Sequence, residues 1–334
     1  MKKIMSELRY WGIMALLGLV RIIPNPVAVL IGKSLGALVW AVYPPFRRVS
    51  DMQMQAALGG DYHWSLSLEM AMHIGRIPVD VIKCLHMQEE DLWRRIEFVG
   101  LEHMNSALAS GRGVMCVSAH IGNWELIGHM PNYIKQDFHV LMNIRSDTRM
   151  ESIVRHVRGR LPGFIIEPPR GGMVSKSIGI LRDGRHVGLM VDIRGKHGMR
   201  IFCNVLGLPA PTSPAPALIA LKGDAIVVPV HALTKGNSFQ IIFDVPIDTR
   251  DYGGGEDVPD KLTECWKSEP VMRLSARLQD WVSGIVSAHP TQWIWLYSRW
   301  VRRSDIRRLI RNGKDFHEHL LNEQALFLNE HVLR

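Results

Sequence analysis

A histidine and a glutamate five residues apart, in Ser118-Ala119-His120-Ile121-Gly122-Asn123-Trp124-Glu125, are the side chains in this sequence best placed to do chemistry. His120 directly follows Val114 to Ala119, a short apolar run of the kind that forms a strand buried in a parallel sheet. That end of a strand is where α/β folds place their ligands. On a continuous helix, five residues turn through about 500°, which leaves the two side chains roughly 140° apart. They meet only if a turn intervenes. Gly122 permits a tight backbone, and Asn123 suits the N-cap of a helix beginning at Trp124. Glu125 is then expected to accept the proton of one imidazole nitrogen and leave the other as a base. This is a Ser-His-acid triad without its hydroxyl. A substrate alcohol would supply it, and the reaction would be acyl transfer to that alcohol. The spacing alone is equally that of a hydrogen-bonded structural histidine.

A second stretch, Ala288-His289-Pro290-Thr291-Gln292-Trp293-Ile294-Trp295-Leu296-Tyr297-Ser298-Arg299-Trp300, holds three Trp and one Tyr within eight residues. So much amphipathic aromatic surface suits a packed core or an acyl-chain boundary. The elements that must position these motifs alternate. Strands are expected at Val114 to Ala119, Val187 to Val191, Ala225 to Val230 and Phe239 to Val245. Helices are expected at Ser65 to Leu85, Met150 to Leu161, Met173 to Leu181, Pro214 to Lys222 and Val271 to Ser287. The alternation argues for an α/β layer fold, a mixed and mostly parallel sheet flanked by helices.

Taken together, "HIGNWE" and "HPTQWIWLYSRW" some 170 residues later resemble the bacterial lipid A biosynthesis (late) acyltransferases, and more distantly the glycerolipid acyltransferases with a His-x4-Asp/Glu motif. "ILRDGRHVGLMVDIRG" and "LGLPAPTSPAPALIALKGDAIVVPV" extend the likeness over nearly the whole chain. The resemblance implies a glycerolipid-acyltransferase-like fold in which His120 and Glu125 are catalytic. It implies an acyl thioester donor, on acyl carrier protein or coenzyme A, and a lipid acceptor. Because a thioester is already activated, no metal or cofactor is implied. Arg145, near the Arg that the family carries after its next strand, and Asn123 are expected to serve the oxyanion or the substrate. Asp192 ends a strand as His120 does and is expected beside the site, binding acceptor hydroxyls or Arg194, itself a candidate substrate contact; if Glu125 is structural, Asp192 is the next candidate to partner His120. Where the family has Phe-Phe-Gly, this chain reads Val205-Leu206-Gly207, a change expected to reshape the acyl-chain groove.

Residues 10 to 46 are nearly free of charge, but Arg21 and Pro24-Asn25-Pro26 interrupt them before the roughly 20 apolar residues of a simple span. Basic flanks and Trp11, Trp40 and Tyr43 suggest a membrane-embedded or monotopic anchor. The expected division is an anchoring segment, 1–48, and a catalytic domain, 49–334, on the cytoplasmic face of a bacterial inner membrane. The 334 residues carry a formal charge of +8, with hydrophobic residues at 47%. A sizeable core is therefore possible, and the charge favours anionic partners. Arg303, Arg307 and Arg311 would form one helical stripe, fit to dock an acidic carrier protein or anionic phospholipid headgroups. Four dispersed cysteines argue against a zinc ribbon or disulfide scaffold. Neither GxxxxGK[ST] nor GxGxxG occurs, and Ser118 lacks the G-x-S-x-G elbow of an esterase. Acyltransfer to a different amphiphile (an aminolipid, glycolipid or polyketide) uses the same residues. A basic nucleic-acid-binding module would explain the charge and leave the apolar N-terminus without a purpose.

Overall fold

Alternation of short apolar runs with amphipathic stretches builds a layered α/β structure, seen here in a computed structural model. The structure describes residues 18–141, 161, 163–167, 172–253, 257–312 and 315–331. Ten strands run in chain order: β1 (Ile96–Val99), β2 (Val114–Ser118), β3 (Phe138–Leu141), β4 (Phe164–Glu167), β5 (His186–Met190), β6 (Ile201–Val205), β7 (Leu208–Thr212), β8 (Ile226–Lys235), β9 (Ser238–Phe243) and β10 (Ile247–Asp248). Eleven helices accompany them: α1 (Asn25–Val42), α2 (Pro44–Leu58), α3 (Trp64–Leu85), α4 (Glu89–Trp93), α5 (Leu101–Ala109), α6 (Met130–Ile134), α7 (Met173–Arg182), α8 (Ala215–Lys222), α9 (Glu269–Ala288), α10 (Arg303–Asn312) and α11 (Phe316–His331).

Seven strands lie in the order β1-β9-β8-β2-β5-β3-β4, with β10 also paired to β8. Every pairing along that order is parallel except β8–β9, so the sheet is mixed and mostly parallel, as expected from the sequence. β2 is central and wholly buried. Its side chains alternate between two cores, as strand geometry requires. Met115 and Val117 join a core that includes residues of α8 and α9. Val114 and Cys116 join one that includes Met104 of α5 and Phe239 of β9.

The hairpin β6–β7 was not anticipated, since Pro209 and Pro211 argue against a strand interior. They are tolerated because, among the described residues, no further strand pairs beyond β7, where Thr212 makes only an isolated bridge to Arg194. The Pro211 carbonyl instead accepts from Gly195 N at 3.0 Å and from Arg299 Nη1 at 2.7 Å. Val205 ends β6 and Leu206-Gly207 form the turn of this hairpin, where Leu206 N donates to Ser283 Oγ on α9. This tripeptide, expected to reshape an acyl-chain groove, packs on α9 and does not line the cavity described below. The helix expected at Met150 to Leu161 lies outside the described residues, Leu161 excepted.

At the N-terminal end, the division placed at residue 48 falls inside α2. α1 packs closely along α3 because both helices are nearly bare at the crossing. A Cβ on Gly32 would meet the Gly75 carbonyl, one on Gly36 the Ala71 carbonyl, and one on Gly75 the Gly32 carbonyl. The opposite face of α1 presents Leu30, Ile31, Leu35, Leu38 and Val42 to the outside. Its 18 residues make α1 the one described helix long and apolar enough to cross a membrane, by length and composition. Trp40 is drawn inward: its indole N–H donates to Ser67 Oγ at 2.9 Å. Trp11 lies outside the described residues.

The crossing predicts a graded response to added volume. Gly36→Val should cost about 1–3 kcal/mol, because the new side chain meets backbone that cannot step aside. Gly179→Ala, on α7 with no atom within 4 Å of the added Cβ, should be neutral or stabilising by up to about 1 kcal/mol. Thermal unfolding of the two variants in detergent measures the difference. Equal melting temperatures would show that α1 is not held by this contact.

Candidate active site

Two neighbouring parallel strands build the site by register. Ser118 of β2 sits opposite Met190 of β5, and the ladder continues with Val191 N donating to Ser118 O at 2.8 Å. Two residues beyond each strand come His120 and Asp192, which are therefore side by side. His120 Nδ1 and Asp192 Oδ1 are 2.8 Å apart. The other carboxylate oxygen accepts from His120 N at 2.8 Å and from the Trp293 indole N–H at 2.9 Å. Asp192 is buried, and burial by itself would raise its carboxyl pKa. The charge of His120 and the hydrogen bonds from His120 and Trp293 outweigh that, holding Asp192 below the usual carboxylate range.

This geometry corrects the expectation that Glu125 fixes the imidazole. The Nδ1 position belongs to Asp192. Residues 124–129 form a 3-10 helix, not an α-helix, and Asn123 gives it no side-chain cap. Glu125 Oε1 accepts from the indole of its neighbour Trp124 at 3.1 Å, and Glu125 lines the cavity beside His120. Asn123 is fully buried, with neither amide atom hydrogen-bonded among the described residues, and it is not in the cavity wall. Arg194 is turned away from the site: its Nε donates to Trp300 O at 3.2 Å and its Nη2 meets Glu323 on α11 at 3.5 Å. Its expected substrate contact is thereby corrected to a tie between the strand end and the C-terminal helix. Arg145 lies outside the described residues. Arg303, Arg307 and Arg311 do fall on one helix, α10, where Arg311 is exposed; the side chains of Arg303 and Arg307 are outside the described residues.

The turn after His120 is clamped from behind. Gly122 adopts φ +57°, and a Cβ there would fall on the Ala232 carbonyl. Gly122 N donates to Gln292 O at 2.8 Å, Ile294 N donates to His120 O at 3.1 Å, and His73 Nε2 lies 3.0 Å from Gly122 O. The Gly122 N–H is thus already committed, which removes it as an oxyanion donor. The Gln292 side chain in turn spans Thr234, accepting from its N at 2.9 Å and donating to its O at 3.3 Å. The tryptophan-rich stretch is both core and clamp: Trp293, Trp295 and Trp300 are buried, and Trp293 also holds Asp192.

Behind Asp192 lies a polar network that sequence reasoning missed. Arg299 is buried and donates to Pro211 O at 2.7 Å, Thr212 Oγ1 at 2.7 Å and Gln279 Oε1 at 3.0 Å. Burial lowers its pKa to about 10, so it stays charged at neutral pH. Gln279 Nε2 donates to Val191 O at 2.9 Å, and Gln53 joins Arg299 N to the carbonyls of Trp295 and Tyr297. The available signal was Gln279 itself, a polar residue set in the apolar stripe of α9.

In front of His120 opens a cavity of about 580 Å³. Its mouth carries His120, Glu125, Trp124 and Tyr297; the Tyr297 ring centroid is 4.6 Å from that of His120. Its interior is lined by Cys116, Phe138, Val140, Gly188, Met190 and other largely apolar residues. Burial raises the Cys116 thiol above its ordinary value, so it is a neutral wall residue. A histidine held by a buried carboxylate at the mouth of an apolar slot suits proton transfer beside a bound hydrocarbon chain. Among the described residues, no group of three or more His, Cys, Asp or Glu could hold a metal ion.

Comparison with known proteins gives a family and several relatives. The family model for bacterial lipid A biosynthesis acyltransferase matches residues 1–302. The chain is 26% identical over 247 residues to a phosphatidylinositol mannoside acyltransferase of Mycobacterium tuberculosis (strain CDC 1551 / Oshkosh), covering 70% of this chain and 71% of the relative. It is 24% identical over 235 residues to the protein of that name in Mycolicibacterium smegmatis, covering 66% and 68%.

The Asp192 contacts carry a pH-dependent prediction. Asp192→Asn should destabilise the protein by about 1–3 kcal/mol at pH 7, since three hydrogen bonds to a charged acceptor are weakened. The folded-state pKa lies below the unfolded value of about 3.9. The contribution is therefore complete above that value and is lost as pH falls through the folded pKa. Melting temperatures from pH 7 to pH 3 should show the gap to wild type closing below about pH 4. A gap that stays constant would mean that shape, not charge, makes the contact.

Proposed function

This chain belongs to the bacterial lipid A biosynthesis acyltransferase family and is an acyltransferase, and we propose that it moves a fatty acyl group from an acyl thioester to a hydroxyl of a lipid acceptor at a membrane. The observation that carries this reading is the His120–Asp192 pair at the mouth of the apolar cavity. In the proposed reaction the acyl chain lies in the cavity with its thioester carbonyl beside His120. The acceptor hydroxyl oxygen attacks that carbonyl as His120 Nε2 takes its proton. The imidazolium so formed is offset by Asp192, which already holds Nδ1. Collapse of the tetrahedral intermediate breaks the carbon–sulfur bond, and the imidazolium returns its proton to the departing thiolate. General-base help of this kind is typically worth about 10² to 10⁴ in rate.

Asp192 here takes the positioning role that an orienting acid plays in a triad. Glu125, in the cavity wall, is assigned to the acceptor side, where a carboxylate can accept from a hydroxyl. Arg145 remains the proposed donor to the oxyanion, a contact worth about 3 kcal/mol. The donor is acyl carrier protein or coenzyme A. The spacing of Arg303, Arg307 and Arg311 on α10 supports the carrier protein, which is acidic, with anionic headgroups as the alternative use of that stripe. The acceptor is a lipid A-type molecule or another amphiphile. A glycolipid is favoured among the others by the relatives named for phosphatidylinositol mannoside. The exposed apolar face of α1 supports membrane association, proposed at the cytoplasmic face of the inner membrane.

Single-turnover transfer from a radiolabelled acyl thioester tests the chemistry. His120→Ala should lose at least about 10² in turnover, and a variant retaining a tenth of wild-type rate would remove the general-base role. Asp192→Asn should lose about 10² to 10⁴ with little change in acceptor KM. Glu125→Gln should lose less than Asp192→Asn; the reverse order would return the orienting role to Glu125. Lipid mass spectrometry of a deletion strain against its parent identifies the acceptor. Membrane attachment is checked by a high-salt wash, which should leave the protein in the membrane fraction. Release into the supernatant would show a purely electrostatic association.

A further inference from the structure

A second cavity, of about 400 Å³, lies on the other side of the catalytic turn and shares no lining residue with the acyl cavity. Its walls come from five places: α1 gives Val29 and Lys33, α3 gives His73 and Arg76, the end of β8 gives Thr234, the turn into β9 gives Gly236 and Asn237, and the segment after His289 gives Thr291 and Gln292. Two side-chain atoms in these walls are buried without a hydrogen-bond partner among the described residues: Arg76 Nη2 and Thr234 Oγ1. Arg76 is only 5% exposed. Its Nε donates to Asp80 Oδ2 at 2.7 Å, while Nη2 and the second oxygen of that carboxylate, Asp80 Oδ1, are both buried without a partner among the described residues. Lys33 makes no ion pair among the described residues. His73 brings no charge, since burial, with help from Arg76 and Lys33, lowers its pKa to about 4. Glu69, exposed, is the one carboxylate among the lining residues.

We propose that this cavity binds a phosphate group, and that the phosphate is the headgroup of a membrane lipid. A buried polar atom without a partner is costly, and a donor that water or protein does not satisfy is an invitation to a ligand oxygen. The donors here are an ammonium, a guanidinium N–H and a hydroxyl on three different elements. One carboxylate offers two oxygens; a phosphate presents acceptors in several directions and matches the set. The lipid source follows from α1. Lys33 and Val29 line the cavity while Leu30, Ile31 and Leu35 on the same helix are exposed and apolar. A headgroup in the cavity would therefore leave its acyl tails against an apolar helix face. The ligand would also touch the clamp of the active site, because His73 and Gln292 line this cavity and hold Gly122 O and N. The site does not depend on which acyl donor or acceptor the enzyme uses.

Isothermal titration of the full-length protein in a phosphate-free maltoside detergent tests it with three probes: dioctanoyl phosphatidic acid, dioctanoylglycerol and inorganic phosphate. Wild type should bind the phosphatidic acid saturably, and dioctanoylglycerol at least about tenfold more weakly. Lys33→Gln should weaken phosphatidic acid about tenfold, and Thr234→Val a few-fold, in keeping with a charged and a neutral contact. Both residues are half-buried, and neither substitution introduces a charge. His120→Ala should bind as wild type, which separates this site from the acyl cavity. Inorganic phosphate binding more weakly than the lipid supports the headgroup; binding as tightly overturns the lipid assignment. Unchanged phosphatidic acid affinity in the Lys33→Gln, Thr234→Val double variant, or equal affinity for dioctanoylglycerol, overturns the site.

Discussion

A single buried carboxylate governs the arrangement of this protein. Asp192 is removed from water and yet ionised, a state that costs heavily unless every lone pair is answered. It is answered by three groups of different origin: the imidazole and backbone N–H of His120, and the indole of Trp293. The end of β5, the end of β2 and the C-terminal tryptophan stretch must therefore meet at one point. Breaking any of these contacts leaves a buried charge partly uncompensated, so the carboxylate enforces the geometry around His120. The His120 backbone contact matters here. It fixes the main chain, while the Nδ1 contact fixes the ring.

Rigidity around that point is supplied by close backbone approach and by polar groups inside the core. Gly122 lies against the Ala232 carbonyl where no side chain fits, and its own amide is given to Gln292. Arg299, buried and charged, sits among carbonyl, hydroxyl and amide oxygens and has no carboxylate partner among the described residues. Its charge is felt by Asp192, with Gln279 linking the Arg299 guanidinium to the Val191 carbonyl next to that residue. Opposite charges thus stabilise each other through the network without forming an ion pair that would take Asp192 away from His120. Such a network is satisfied in one arrangement and costly in others, which favours one conformation of the site.

The parallel strands and flanking helices were legible because their patterns are local. β2, β5, β8 and β9, and the helices α3, α7, α8 and α9, fall within a few residues of where the periodicity puts them. His120 and the nearness of Asp192 were legible for the same reason: both follow buried strands, and adjacent parallel strands in register bring equal offsets together. Which acid holds Nδ1 was less so, Asp192 standing only second to Glu125. Glu125 is near in sequence, but the pairing is decided by β2 and β5 being neighbours, which no local pattern states. Arg194 shows the converse failure: strand-end position suggested the site, yet a carboxylate on α11 and the Trp300 carbonyl draw it elsewhere. The β6–β7 hairpin stayed hidden because its prolines are permitted only by a tertiary fact, the absence, among the described residues, of a further strand beyond β7.

The strand geometry that places the histidine also makes the slot it faces. Ser118 pairs with Met190, and Cys116 with Gly188, which pairs in turn with Val140; all five residues line the acyl cavity. Successive rungs on one face of a sheet are two residues, about 6.6 Å, apart. From His120 to the Cys116–Gly188–Val140 rung is four residues, or about 13 Å along β2. An acyl chain placed as proposed, entering at His120 and following this face, would pass Ser118 and then the Cys116–Gly188–Val140 rung. Gly188 adds no side chain to that rung, with Val140 Cγ2 3.4 Å from where its Cβ would stand. Phe138, the next residue on that face of β3, is a bulky wall of the same cavity, packed against His186 with ring centroids 5.0 Å apart. Proton transfer at one end and hydrocarbon at the other thus need no separate domains. In the proposed reaction the C-terminal end of a buried strand supplies the base, and the alternate side chains below it supply the apolar wall.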